Sequence, residues 1–147
     1  MENIISFKTS FGWINAIEKN DYITSVSFGK KQNKGSSKIL KNLEQKLKDY
    51  FVGKKINFKF KIYLKGTNLQ KKILKELQKI PYGETNSYGA IAKKIKTSPR
   101  YVGNVCGKNK HLLIIPCHRV IRSDGDLGGF SAVGGIKLKA RLLKLEK

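Results

Sequence analysis

A chain of 147 residues and 16.6 kDa is long enough for one compact core or for two small lobes that share an interface. Its formal net charge of +21, from 31 Lys and Arg against 10 Asp and Glu, points to a polyanionic partner, nucleic acid before membrane surface, although lysine also coats ordinary solvated helices. Two cysteines, Cys106 and Cys117, and two histidines exclude a disulfide framework and form no zinc spacing, so no metal is expected. There is no apolar run of about 18 residues, and no basic-then-apolar leader follows Met1. The expectation is therefore a soluble protein without a membrane partner, in a reducing compartment: the cytoplasm and, in a prokaryote, the nucleoid.

Residues 3–28 alternate in hydrophobicity, and Glu18-Lys19-Asn20-Asp21 separates residues 11–17 from residues 22–28. The pattern predicts an N-terminal antiparallel sheet with a hairpin break. After a polar loop over 30–37, Leu40, Leu43, Leu47, Tyr50 and Phe51 recur at helical spacing with lysines between them. An amphipathic helix covering one face of the sheet follows from that stripe. Residues 56–64 alternate again and predict one more strand.

From Thr67 onward the character changes to helices joined by short loops. Leu69, Ile73, Leu74 and Leu77 stripe one helix, ended by Pro81-Tyr82-Gly83. A short helix over 88–95 starts at Ser87 as cap, with Ala90, Ile91, Ala92 and Ile95 inward. Only Lys96-Thr97-Ser98 intervene before Ser98 as cap and Pro99 as first residue open a second helix through Cys106, which Gly107 is placed to stop. Two short helices across a tight turn outline a helix-turn-helix. Many helical hairpins bind nothing, but Lys93, Lys94, Lys96, Arg100, Lys108 and Lys110 gather on this one segment, which favours nucleic-acid contact. Gly103, inside the second helix, costs about 1 kcal/mol relative to alanine. Close approach to a phosphate backbone and close helix packing both account for it. Arg100 sits in the first turn, where the helix dipole mildly disfavours a cation, a placement that makes sense if the side chain reaches toward DNA.

The stretch Ile114-Ile115-Pro116-Cys117-His118-Arg119-Val120 ends an apolar run at a proline and delivers a cysteine and a histidine together. A thiol reacts as thiolate, and an imidazole and a cation beside it, here His118 and Arg119, favour that form. In a regular strand the two side chains would face opposite ways, so a working pair needs a break, which Pro116 can supply, or a bridging water. The competing reading is an inert buried cysteine. Beyond it, Ser123-Asp124-Gly125-Asp126 reads as a turn, and Gly128-Gly129-Phe130-Ser131 as a close-approach loop. A last helix over 136–145, apolar on more than one side, should be largely buried. Glu146 at its end is either a frayed, solvated terminus or a carboxylate with a task.

Together these segments resemble the O6-alkylguanine-DNA alkyltransferases. The resemblance rests on Pro116-Cys117-His118-Arg119-Val120, Tyr88-Gly89-Ala90-Ile91-Ala92, Arg100-Tyr101-Val102-Gly103, Asn109 and Leu127-Gly128-Gly129-Phe130-Ser131. It covers 67–147 closely and 1–65 only in general layout. It implies two domains. Residues 1–65 would form an α/β lobe, a small antiparallel sheet with a covering helix, ribonuclease-H-like. Residues 66–147 would form a mainly α DNA-binding and alkyl-acceptor domain with a winged-helix-like helix-turn-helix. It further implies Cys117 as acceptor thiolate, His118 as base through a water, Glu146 as the carboxylate orienting the imidazole, and Asn109 as support for the adjacent turn. Tyr88 would contact the flipped base and its 3' phosphate, Arg100 would fill the gap in the stack, and Val120 and Ser131 would line the guanine pocket. Gly103 would belong to the DNA-facing helix. Phe130 stands where a tyrosine is common.

The chemistry fits these residue types independently. A soft thiolate suits displacement at the saturated carbon on guanine O6, in double-stranded alkylated DNA, with O4-alkylthymine as a further candidate substrate. The target lies inside a stacked duplex and must be flipped out. No second group in the chain can hydrolyse the resulting thioether, so one molecule reacts once, as a monomer without cofactor. Two other readings remain at this point: a non-enzymatic binder of alkylated DNA, which would not need Cys117, and a Cys-His hydrolase of small molecules, against which the charge and the helix-turn-helix speak.

Overall fold

The computed structural model describes residues 1–130 and 134–147. They form two compact units, residues 1–64 with 110–114, and residues 65–109 with 115–147.

In the first unit, β1 (Glu2–Thr9), β2 (Gly12–Lys19) and β3 (Tyr22–Phe28) form an antiparallel meander in that order. The β2–β3 turn places Asn20 and Asp21 at positive φ, 53° and 70°, a conformation these two residue types tolerate better than most. Then α1 (Lys38–Phe51) begins where the Ser37 hydroxyl accepts from the Leu40 N–H, and it packs on β1 and β2. Its buried face is the expected Leu40, Leu43, Leu47, Tyr50 and Phe51. These close over Phe7, Ile14, Ala16, Ile23 and Val26 to make the core of this unit.

Residues 56–64 do not form the expected strand. Their burial alternates with period two, even positions half-buried and odd positions exposed, but the backbone meets β3 at one bridge, Ile62 beside Ile23. The bridge is parallel, and two residues before Ile62 the segment has passed the start of β3. In the other direction the same edge of β3 is taken by residues 110–112, where His111 bridges Val26. The alternation was real, and there was no free edge on which to extend the ladder. The return of 110–114 to this unit has no counterpart in the sequence pattern.

In the second unit α2 (Asn68–Gln78), α3 (Tyr88–Ile95) and α4 (Pro99–Gly107) pack on one another. Each starts at the residue its sequence marks. Thr67 and Gln70 form a reciprocal capping box on α2, Ser87 accepts from the Ala90 N–H on α3, and Ser98 from the Tyr101 N–H on α4. Lys96, at φ 68°, turns the chain between α3 and α4. A short parallel pair, β4 (Asn86–Ser87) with β5 (Val120–Ile121), ties the start of α3 to the segment after Cys117. The last helix is α5 (Gly135–Leu145). Two expectations fail here. Ala90 is exposed, while Ile91 and Ala92 fill the inner face of α3 with Ile95 half-buried. The last helix is not largely buried, because α5 buries a single face, Leu138, Lys139 and Leu142, and leaves Ile136 49% exposed.

Candidate functional site

Pro116, at φ −80° and ψ 64°, ends the extended run, and Cys117–Arg119 follow as one turn of 3-10 helix. This is the break that a cysteine and histidine adjacent in sequence require. Cys117 is 3% exposed and His118 1%. His118 Nε2–H donates to Glu146 Oε2 at 2.6 Å. A carboxylate only accepts, so Nε2 carries the hydrogen, and in the neutral ring Nδ1 is then the basic nitrogen. Nδ1 is buried and has no hydrogen-bond partner among the described residues. Burial holds the imidazole below its ordinary pKa, with the Glu146 carboxylate opposing that shift. His118 is therefore a neutral base at neutral pH.

Glu146 is no frayed terminus. It is 4% exposed, and donors converge on both its oxygens. Arg119 Nε reaches Oε1 at 2.8 Å and Arg119 Nη2 reaches Oε2 at 3.0 Å, while the Gly83 N–H donates to Oε1 at 3.2 Å. Arg119 also donates from Nη1 to the Ile80 carbonyl at 2.8 Å. A carboxylate at a helix C-terminus faces the negative end of the dipole, and these donors outweigh that end.

Arg119 is thus committed to Glu146 and is not the cation that biases the thiol. That cation is Lys139, a residue sequence reasoning passed over. It is fully buried, and its Nζ donates to the carbonyls of Val120 at 2.6 Å, Gly129 at 3.2 Å and Leu127, with the Tyr88 hydroxyl oxygen a fourth neighbour at 3.4 Å. Burial pushes the Cys117 thiol up, against which the Asn109 side-chain hydrogen bond and the Lys139 charge both work. Burial pushes Lys139 down, and Cys117 and Cys106 oppose that. The two groups favour each other's charged forms. Asn109 also donates from Nδ2 to the Ile115 carbonyl at 2.9 Å, so it holds the chain on the N-terminal side of the cysteine. A signal for Lys139 was present: it stands three residues before Leu142 and one after Leu138, on the apolar stripe of α5, where a lysine needs a reason.

Beside the cysteine lies an open cleft of about 560 Å³, lined among others by Tyr88, Arg100, Gly103, Cys106, Cys117 and Phe130. Tyr88 is pushed up to about 12 by burial, reinforced by Cys106 and Cys117 and opposed by Arg122, so its phenol keeps its proton. Arg100 is exposed, and among the described residues it makes no hydrogen bond or ion pair. A Cβ on Gly103 would lie 3.9 Å from the Tyr88 ring, an ordinary contact, so packing within this unit does not require glycine there. Gly128 is different: its φ is +72° and a Cβ would come within 3.2 Å of the Tyr88 ring. Val120 is fully buried behind the cleft with its carbonyl occupied by Lys139, and it is not among the lining residues. Ser131 lies outside the described residues. Cys106, on the cleft wall, is pushed up to about 12, by burial first and the Cys117 charge second.

A buried thiol, a buried imidazole held by a carboxylate, and a pair of capped helices with exposed cations share one unit. Residues 68–147 match the family described as 6-O-methylguanine DNA methyltransferase, DNA binding domain. The chain is 45% identical over 105 residues to the methylated-DNA–protein-cysteine methyltransferase of Sulfolobus acidocaldarius, covering 71% of this chain and 66% of that protein. It is 36% identical over 144 residues to the protein of the same name from Metallosphaera sedula, covering 96% and 90%. Its structure is similar to that of Mycobacterium tuberculosis OGT in complex with DNA, with a TM-score of 0.85 and 32% identity over 97% of this chain and 92% of that one. Several of the curated relatives are matched over slightly less than two thirds of their own length. The chain belongs to the methylated-DNA–protein-cysteine methyltransferase family.

Proposed function

We propose that this protein repairs double-stranded DNA by moving the alkyl group of O6-alkylguanine irreversibly onto Cys117, once per molecule. The observation that carries the reading is the hydrogen-bonded imidazole. Glu146 fixes the Nε2–H tautomer of His118, which leaves a buried, neutral Nδ1 as base one residue from a buried thiol. The Cys117 proton passes to Nδ1 through a water, and the imidazolium so formed is stabilised by Glu146. The thiolate then attacks the alkyl carbon, a C–S bond forms, the C–O6 bond breaks, and its electron pair leaves on the guanine. The Tyr88 phenol keeps its proton, and its O–H donates to the base as that charge develops. Asn109 and Lys139 favour the thiolate before attack. A thioether C–S bond is inert to water and to the imidazole beside Cys117, so the acceptor is consumed once.

To reach the cleft the base must be flipped, at a cost of a few kcal/mol. Arg100, exposed on the first turn of α4, fills the vacancy in the stack, and Gly103 lets the helix approach the backbone. Val120 acts from behind the pocket, through the carbonyl that Lys139 holds, and Ser131 contributes to the guanine side. Lys93 and Lys94 on α3, with Lys96 and Lys108 flanking the helix pair, supply phosphate contacts. We also infer the finer fold class. The three-stranded meander with α1 supports a ribonuclease-H-like N-terminal lobe over 1–65, and the helix pair with β4 and β5 supports a winged-helix-like domain over 66–147. The protein acts as a monomer, without metal or cofactor, in the compartment that holds the DNA. No described helix is long and apolar enough to cross a membrane.

A stoichiometry assay tests the reading. Excess duplex labelled on the methyl of O6-methylguanine should transfer label to a plateau of one methyl per chain. Continued release beyond that plateau, or an undiminished plateau in Cys117→Ala, would overturn it.

A further inference from the structure

The segment that failed to become a strand carries a second feature. Lys55, Asn57, Lys59, Lys61, Tyr63 and Lys65 are exposed at alternate positions, while Ile56, Phe58, Phe60, Ile62 and Leu64 turn partly inward. Tyr63 is 52% exposed. From Tyr50 to Lys75 the sequence holds no carboxylate, and among the described residues Lys55, Lys59 and Lys61 make no ion pair. Along extended chain, side chains two residues apart on one face stand about 6.6 Å apart. That is comparable to the separation of successive phosphates on a nucleic-acid strand. Lysines on an open sheet edge also serve to block strand pairing between molecules. That role needs one or two charges and does not require an acid-free run across the whole segment, or a phenol hydroxyl in the same row.

We propose that residues 55–63 of the first unit form a second DNA contact, a track in which Lys55, Lys59, Lys61 and the Tyr63 hydroxyl bind successive phosphates of a duplex without reading its bases. The single bridge to β3 anchors the track at Ile62. The half-buried even positions keep the odd ones facing outward. Counterion release makes such a contact strongly salt-dependent and indifferent to damage. The track is separate from the chemistry at Cys117 and stands whether or not that reading holds.

The test uses the full chain and an unmodified DNA duplex. In K55Q/K59Q/K61Q the slope of log affinity against log salt should become shallower by about 2 to 3, at roughly 0.9 for each phosphate no longer neutralised. An equal-charge control, K8Q/K38Q/K41Q, removes exposed lysines elsewhere in the unit and should change the slope by less than one. Reaction with free O6-benzylguanine and the thermal unfolding midpoint should be unchanged in both. An unchanged slope in the track variant overturns the proposal, as does an equal change in the control, which would reduce the effect to net charge. Loss of binding to phosphatidylserine vesicles with the DNA slope intact would also overturn it and assign the track to anionic lipid. Failure of the Cys117 reading would appear in the free-base reaction of the unmodified chain and not in these slopes.

Discussion

Two sides of the second unit treat charge in opposite ways. Around Glu146 every charged atom is buried and answered: two oxygens meet His118, Arg119 and Gly83, and Arg119 spends its remaining donor on Ile80. On the outer side Arg100 of α4, Lys93 and Lys94 of α3 and the flanking Lys96 and Lys108 are exposed, and among the described residues only Lys94 of these has an acidic partner, Glu76 at 2.8 Å. Buried and paired groups are held in one geometry, which is what a proton transfer over a fixed path needs. Exposed groups without a fixed partner are free to meet a polyanion. In the proposed reaction the first set governs reactivity and the second access to DNA, and substitutions on the two sides should fail differently.

The largest effect is expected on the buried side. Glu146→Ala strips the partners from a buried Arg119 and from His118, and should cost on the order of 3–5 kcal/mol of stability, read by urea unfolding. The milder Glu146→Gln should fold and move the thiol limb of the pH–rate profile to higher pH, because the imidazolium formed when His118 takes the Cys117 proton loses its carboxylate. An unchanged profile would detach Glu146 from the chemistry.

On the open side, Arg100→Ala should leave stability within about 0.5 kcal/mol, as for most surface substitutions. It should slow transfer from duplex DNA by about tenfold, equivalent to roughly 1.4 kcal/mol, while reaction with free O6-benzylguanine is retained. Equal loss on both substrates would place Arg100 in the reactive machinery and erase the contrast.

A smaller effect concerns pH. Burial holds both His111 and His118 below the ordinary imidazole value. As pH falls below about 6.5, the unfolded chain takes up protons that the folded chain refuses. Stability is therefore fully present above that pH and is lost as pH falls toward the folded values. His118→Asn should flatten part of this loss in a series of unfolding curves.

Much of this was legible in the sequence where a local rule decides the outcome. Ser87 and Ser98 start helices because a hydroxyl at that position satisfies an orphan N–H, and the stripe of α1 sorted itself by spacing alone. Cys117 and His118 stood out through adjacency and the proline before them. What was not legible depends on partners distant in the chain. Whether residues 56–64 could pair depended on the free edge of β3, which 110–112 had taken. Glu146 could be read as solvated or engaged until Gly83, His118 and Arg119 were seen around it. Arg119 lies two residues from the cysteine yet serves the carboxylate, while Lys139, which looks like one more surface lysine, is the cation that biases the thiol.

In the proposed reaction Cys117 Sγ is the atom that receives the alkyl group. Peptide mass analysis of the full chain after a single exposure to O6-methylguanine duplex tests this directly. One added methyl, confined to the peptide that holds Cys117 and present on nearly every molecule, is the predicted result. An unmodified Cys117 peptide, with the methyl on Cys106 or on no residue at all, would contradict it.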